Sequence, residues 1–183
     1  MTQRKAFLTK EQSLLLRGIA IFLVLISHYA VWIGEIFHSD LLEYGLGRFG
    51  VYGVDLFFAV SGYGLVKSVG KKRINGTFLW KRFKTVYLPY LLIVGLITVY
   101  DGGISGMTGW VSFLTGAEYW YIRNILVFYL AFYVVYRLSD RSWVRMLLMA
   151  VCLTAYSGLL IWQERALFWY ISNVTFLFGM LLA

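Results

Sequence analysis

The chain has one cysteine, Cys152, and it lies in an apolar run, so no internal disulfide, thiolate metal cluster or redox pair can be built. It has one proline, Pro89, which leaves long stretches without the residue that most strongly interrupts a helix. Charge is scarce: Asp, Glu, Lys and Arg together make up 14% of the 183 residues, too little to coat a soluble domain of this size. Acidic side chains are the scarcest, 9 against 17 basic ones. The apolar segments lack the period-two alternation of barrel strands. There is no internal repeat and no low-complexity tract.

What remains is 60% hydrophobic and 19% aromatic. Apolar runs this long must satisfy their backbone groups internally, which means helices. The expected fold is an all-α polytopic transmembrane helical bundle of about six spans. The apolar segments cover 14–33, 49–68, 86–100, 119–136 and 146–162, with a sixth from Leu167 onward. Basic residues sort by loop: 14 of the 17 lie in or beside the N-terminal segment, Lys67 to Lys84 and Arg137 to Arg145, while Gly34–Arg48 carries three acids against Arg48 and Asp101–Glu118 has no Lys or Arg. The positive-inside rule then puts the N-terminus in the cytoplasm, and the net charge of +8 reads as topology in a cytoplasmic membrane rather than nucleic-acid binding. The first apolar run is too long for a signal-peptide core, contains Arg17 and has no small-x-small site after it, so it is read as an uncleaved helix.

Ionisable residues inside such helices are costly and point to function. Arg17 and His28 both fall in the first span. Eleven residues apart, they lie within about 20° of each other around the helix and about 16 Å along it. One face therefore offers a fixed cation near one membrane surface and a titratable imidazole toward the other. The plainer readings are a snorkelling anchor for Arg17 and a structural hydrogen bond for His28. Asp55 lies about six residues inside the second span, at a depth that matches His28. A neighbouring carboxylate would fix the imidazole tautomer, although Asp55 can equally pair with Arg48 or cap its own helix. The stretch TFLWKRFKTVY places Lys81, Arg82 and Lys84 among aromatics, as an inner-interface segment does, and offers an anion site. GLGRFG at 45–50 matches a dinucleotide fingerprint by spacing, but it follows an acidic loop and opens a span, where that motif has no strand to serve.

Four stretches, in order, resemble the acyltransferase-3 family of integral membrane acyltransferases: LRGIAIFLVLISHY with Arg17 and His28, GVDLFFAVSGY at 53–63, FLWKRFKTVYLPY at 78–90, and WYI at 120–122. The resemblance covers essentially the whole chain, but that family's membrane domain usually has about ten spans, so residues 1–183 are expected to be its N-terminal portion. The resemblance implies acyl-CoA, acetyl-CoA in kind, as donor substrate, no resident cofactor or metal, the lipid bilayer as surroundings and a hydroxyl of a cell-surface carbohydrate or similar molecule as acceptor. On that reading His28 and Asp55 are catalytic, His28 acting as general base or as nucleophile, and Arg17, Lys81, Arg82 and Lys84 bind the donor's phosphates. Two other classes fit the composition: a proton- or ion-coupled transporter using Arg17, His28 and Asp55, and a membrane scaffold, which would leave those three residues unexplained.

Overall fold

The computed structural model describes residues 7–70, 74–100 and 102–183. Arg4, Lys5, Lys71, Lys72 and Arg73, which entered the topology argument, lie outside the described residues. Within the described residues the regular elements are seven helices. Helix α1 covers Lys10–Phe37, α2 Leu41–Val69, α3 Thr77–Tyr100, α4 Gly106–Thr115, α5 Trp120–Leu138, α6 Ser142–Trp162 and α7 Phe168–Leu181. Five of them, α1, α2, α3, α5 and α6, are long and apolar enough to cross a membrane, and α7 is apolar but shorter. This is an integral membrane protein.

Local chemistry explains where α1 starts. Thr9 and Gln12 form a reciprocal capping box, with Gln12 N–H donating to Thr9 Oγ1 at 3.1 Å and Thr9 N–H to Gln12 Oε1 at 2.9 Å. The helix ends at His38 in a left-handed conformation, φ 51°. The expected outer loop Gly34–Arg48 is thereby corrected to residues 38–40, because α2 begins at Leu41 with a π turn and a 3-10 turn. GLGRFG is helical, and its glycines serve packing: a Cβ on Gly47 would meet Val31, and one on Gly50 would meet the Ser27 hydroxyl.

A second correction concerns residues 78–84. They are the first turns of α3, which continues through a π turn at Phe83–Tyr87 to Tyr100. Pro89 offers no N–H to the preceding turn, and the ladder shifts so that Leu88 N–H donates to Phe83 O.

The chain forms two compact units, residues up to 70 with 155–183, and residues 71–154. In the first, α1 and α2 are antiparallel and close. A Cβ on Gly53 would stand 2.6 Å from the Ala20 carbonyl, and the Ser27 hydroxyl donates to Gly47 O at 2.6 Å. The other side of α2 receives α7, where Gly62 faces the Phe176 carbonyl and Gly179 faces that of Ala59, with no room for a side chain at either. Small residues let backbones approach in membranes, where dispersion contact replaces the hydrophobic effect between helices. Phe58 and Phe176 fill this unit's core, both fully buried.

In the second unit Phe78 of α3 stacks on Phe132 of α5 at 5.7 Å, and Ile125 and Phe128 are fully buried. The turn from α5 to α6 is held by Arg145. Its Nε donates to Ser139 O at 2.6 Å, its Nη2 reaches Asp140 at 3.4 Å, and its guanidinium lies 4.2 Å above the Tyr136 ring.

Candidate active site

Helix α1 is one continuous rod through both Arg17 and His28, so the helical spacing argued from sequence holds for them. The face of α1 that meets α2 carries Ala20, Ser27, Ala30 and Gly34, all buried, and Arg17 and His28 lie together on one flank of it. Arg17 is half-buried. Its Nη2 stands 3.3 Å from where a Cβ on Gly64 would be, so Gly64 makes the space that the guanidinium uses. Its Nε is buried without a hydrogen-bond partner. His28 is exposed, and its imidazole has no hydrogen bond or ion pair among the described residues.

Asp55 is not the partner of His28 in this structure, for two geometric reasons. Contacts of Ser27 with Gly50 and of Gly34 with Glu43 set an antiparallel register that places His28 level with Phe49 and Asp55 level with Phe22, about 9 Å apart along the hairpin. Gly53 faces α1, and a residue two further on is turned about 200° around the helix, which sends Asp55 to the α7 side. There the fully buried Ser172 hydroxyl is within hydrogen-bonding reach of the carboxylate. Asp55 Oδ1 is buried with no partner. Neither Arg48 nor a helix cap takes up the carboxylate among the described residues. Next to Ser172, Asn173 Nδ2 donates to Ser157 Oγ at 2.8 Å, so a buried polar cluster joins α2, α7 and the end of α6. Ser172 escaped the sequence reading because a lone serine in an apolar helix carries no pattern.

In the second unit the three cations of α3 separate, as neighbours on a helix turning 100° per residue must. Lys81 is exposed, and Lys84 Nζ lies 5.4 Å above the exposed Trp80 ring. Only Arg82 turns inward. Its guanidinium sits 5.3 Å from the Phe78 ring and 5.4 Å from the Tyr129 ring, with Nε buried and unpartnered. It is the one charged residue lining an open cavity of about 320 Å³, walled by Leu79, Phe83, Tyr87, Leu114, Leu126, Tyr129 and Leu130.

Among the described residues, the buried side-chain nitrogen and oxygen atoms that lack a partner belong to Arg17, Asp55 and Arg82. Leaving such atoms unpaired is costly, which singles these three groups out as candidate ligand contacts. A family model described as an acyltransferase domain, that of acyltransferase 3, matches residues 14–183. The chain belongs to the acyltransferase 3 family. No curated protein and no solved structure matches it. Family membership makes the acyltransferase 3 chain a membrane acyltransferase and sets aside the transporter and scaffold readings.

Proposed function

We propose that this acyltransferase moves an acyl group, acetyl in the simplest case, from cytosolic acyl-CoA to a hydroxyl of a cell-surface carbohydrate or a similar acceptor. The observation that carries the reading is on α1: a guanidinium with an unpaired buried Nε, and an uncommitted imidazole about 16 Å away on the same flank. Arg17 binds a donor phosphate through charge-assisted hydrogen bonds. His28, as general base, takes the proton of the acceptor hydroxyl while that oxygen attacks the thioester carbonyl. The carbon–sulfur bond breaks, the ester forms, and the coenzyme A sulfur leaves with the proton. Arg82 is assigned independently as an anion contact, because its cavity combines one guanidinium with apolar walls suited to a ligand that is part phosphate and part alkyl chain. Lys81 and Lys84 add long-range attraction for the same anion. Asp55 maintains the buried polar cluster with Ser172.

Transfer of a labelled acyl group from acyl-CoA to a carbohydrate acceptor by the membrane-embedded full chain tests this reading. His28→Ala is expected to abolish transfer and leave coenzyme A binding intact. Arg17→Ala is expected to weaken that binding about 10- to 150-fold, the equivalent of a charge-assisted hydrogen bond worth about 1.5 to 3 kcal/mol. Transfer surviving in His28→Ala, or unchanged affinity in Arg17→Ala, refutes the respective role.

A further inference from the structure

The cavity beside Arg82 has two ends of opposite character. Arg82 stands in the second turn of α3, and long side chains on a helix lean toward its N-terminus. Its guanidinium accordingly lies 5.3 Å from the Phe78 ring, one turn back, and 5.4 Å from the Tyr129 ring. The ring faces attract the charge but carry no lone pair for its N–H groups, and Nε is buried without a partner. From there the walls continue as Phe83 and Tyr87 of α3, Leu114 of α4, and Leu126 and Leu130 of α5. The Tyr87 hydroxyl donates to Leu114 O at 2.6 Å, which holds the end of α4, returned along α3, against the groove and uses up the tyrosine's proton.

The length of α3 puts the cationic end near a headgroup layer. Thr77–Tyr100 is 24 residues, about 36 Å, against a hydrocarbon core of about 30 Å. A guanidinium drawn back toward Phe78 is beside the second residue of that span, and Lys81 and Lys84 nearby are exposed. The open side of the cavity is apolar. Leu114 and Leu130, on two different helices, stay 49% and 56% exposed at its rim, so the opening favours hydrocarbon over water.

We infer that the Arg82 cavity is a site for an anionic membrane phospholipid, with the headgroup phosphate on the Arg82 guanidinium and an acyl chain along Phe83, Leu126 and Leu130. The inference rests on the reading of Arg82 as an anion contact and not on acyl transfer. Coenzyme A also joins phosphate to a chain, but its pantetheine arm carries two amides and a hydroxyl that would give up water against leucine and aromatic walls. A hydrocarbon chain gives up nothing there and gains by burial. An arginine offers a phosphate two parallel N–H bonds, and the two exposed lysines favour a headgroup of net negative charge over a zwitterionic one.

The test is lipid binding by the purified full chain, stripped of lipid in a neutral detergent, titrated with phosphatidylglycerol and read by native mass spectrometry. The wild type is expected to bind phosphatidylglycerol about tenfold more tightly than phosphatidylcholine. Arg82→Gln is expected to lose that preference. Leu130→Trp keeps the guanidinium and fills the apolar end from an exposed position, and is expected to lose the lipid, while Leu96→Trp, elsewhere on α3, keeps it. An unchanged preference in Arg82→Gln, lipid retained in Leu130→Trp, or a lipid-free dimer overturns the site. Displacement of the lipid by coenzyme A or by inorganic phosphate overturns the lipid as ligand and leaves Arg82 an anion contact. A wild type that binds none of the three through Arg82 removes the anion contact as well. Leu130→Trp decides the matter if Arg82→Gln does not fold.

Discussion

Arg17 and Arg82 each leave a buried Nε unpaired, but their surroundings differ in a way that separates their effects on stability. A buried polar group without a partner costs about 1 to 3 kcal/mol, and nothing around Arg17 among the described contacts returns it. Arg17→Met is therefore expected to keep or raise the unfolding temperature of the detergent-solubilised protein while removing the extra stabilisation that coenzyme A confers on the wild type. Arg82 lies over two aromatic rings, and a desolvated cation–π contact returns about 2 kcal/mol. Arg82→Met is expected to lower the unfolding temperature. A drop in Arg17→Met as well would mean that its guanidinium is held structurally. Asp55 teaches a different lesson about residues: matching depth on two helices is insufficient for a contact, because azimuth decides which neighbour a side chain meets.

At the scale of the element, α4 depends on residues of another helix. Tyr87 and Tyr90 cap it from α3, and Gly116, left-handed at φ 65°, completes its C-terminus. Replacing both tyrosines by phenylalanine keeps the rings and removes the donors, leaving Leu114 O without its partner at about 1 to 3 kcal/mol and Phe113 O with only the 3.3 Å bond from Gly116 N–H. Amides of residues 108–117 in the Tyr87→Phe, Tyr90→Phe double variant are expected to exchange with deuterium faster than in the wild type, with α1 and α2 unchanged. Equal protection of α4 in both proteins would show that the tyrosine caps contribute nothing to its stability. The π turn at Phe83–Tyr87 belongs to the same account. It lies directly after Arg82 and before Pro89, where the missing proline donor shifts the hydrogen-bond ladder.

For the whole molecule, basic residues predict orientation. Lys10 at the start of α1, Lys81 to Lys84 at the start of α3, and Arg137 to Arg145 around the α5–α6 turn are expected on the cytoplasmic side, and Gly103 and Glu164 on the other. Single cysteines at 141, 103 and 164, labelled in intact cells with an impermeant reagent, test this: 103 and 164 should react and 141 should not. Reaction at 141 from outside would invert the arrangement. The α1–α2 hairpin supports the same alternation, since three residues between its helices permit only antiparallel neighbours.

The membrane class, the helical fold, the six apolar segments and the family were legible from the chain alone, because hydrophobic run length, charge asymmetry and ordered motifs are local or additive properties. Arg17, His28 and Asp55 stood out because a charge inside an apolar run is conspicuous whatever surrounds it, whereas nothing in the sequence separated Arg82 from Lys81 and Lys84. The boundaries were read too tightly: Gly34–Arg48 and Asp101–Glu118 look like loops by composition but contain helix, because polar and glycine-rich residues fold helically when another helix supports them. Which charges meet was decided only by tertiary structure. The close approach through Gly50, Gly53, Gly62 and Gly179 sets the register and rotation of α1, α2 and α7, and that rotation turns Asp55 toward Ser172 and away from His28. The return of α4 along α3 is of the same kind, since the two hydroxyl groups that hold its end lie more than twenty residues earlier in the chain.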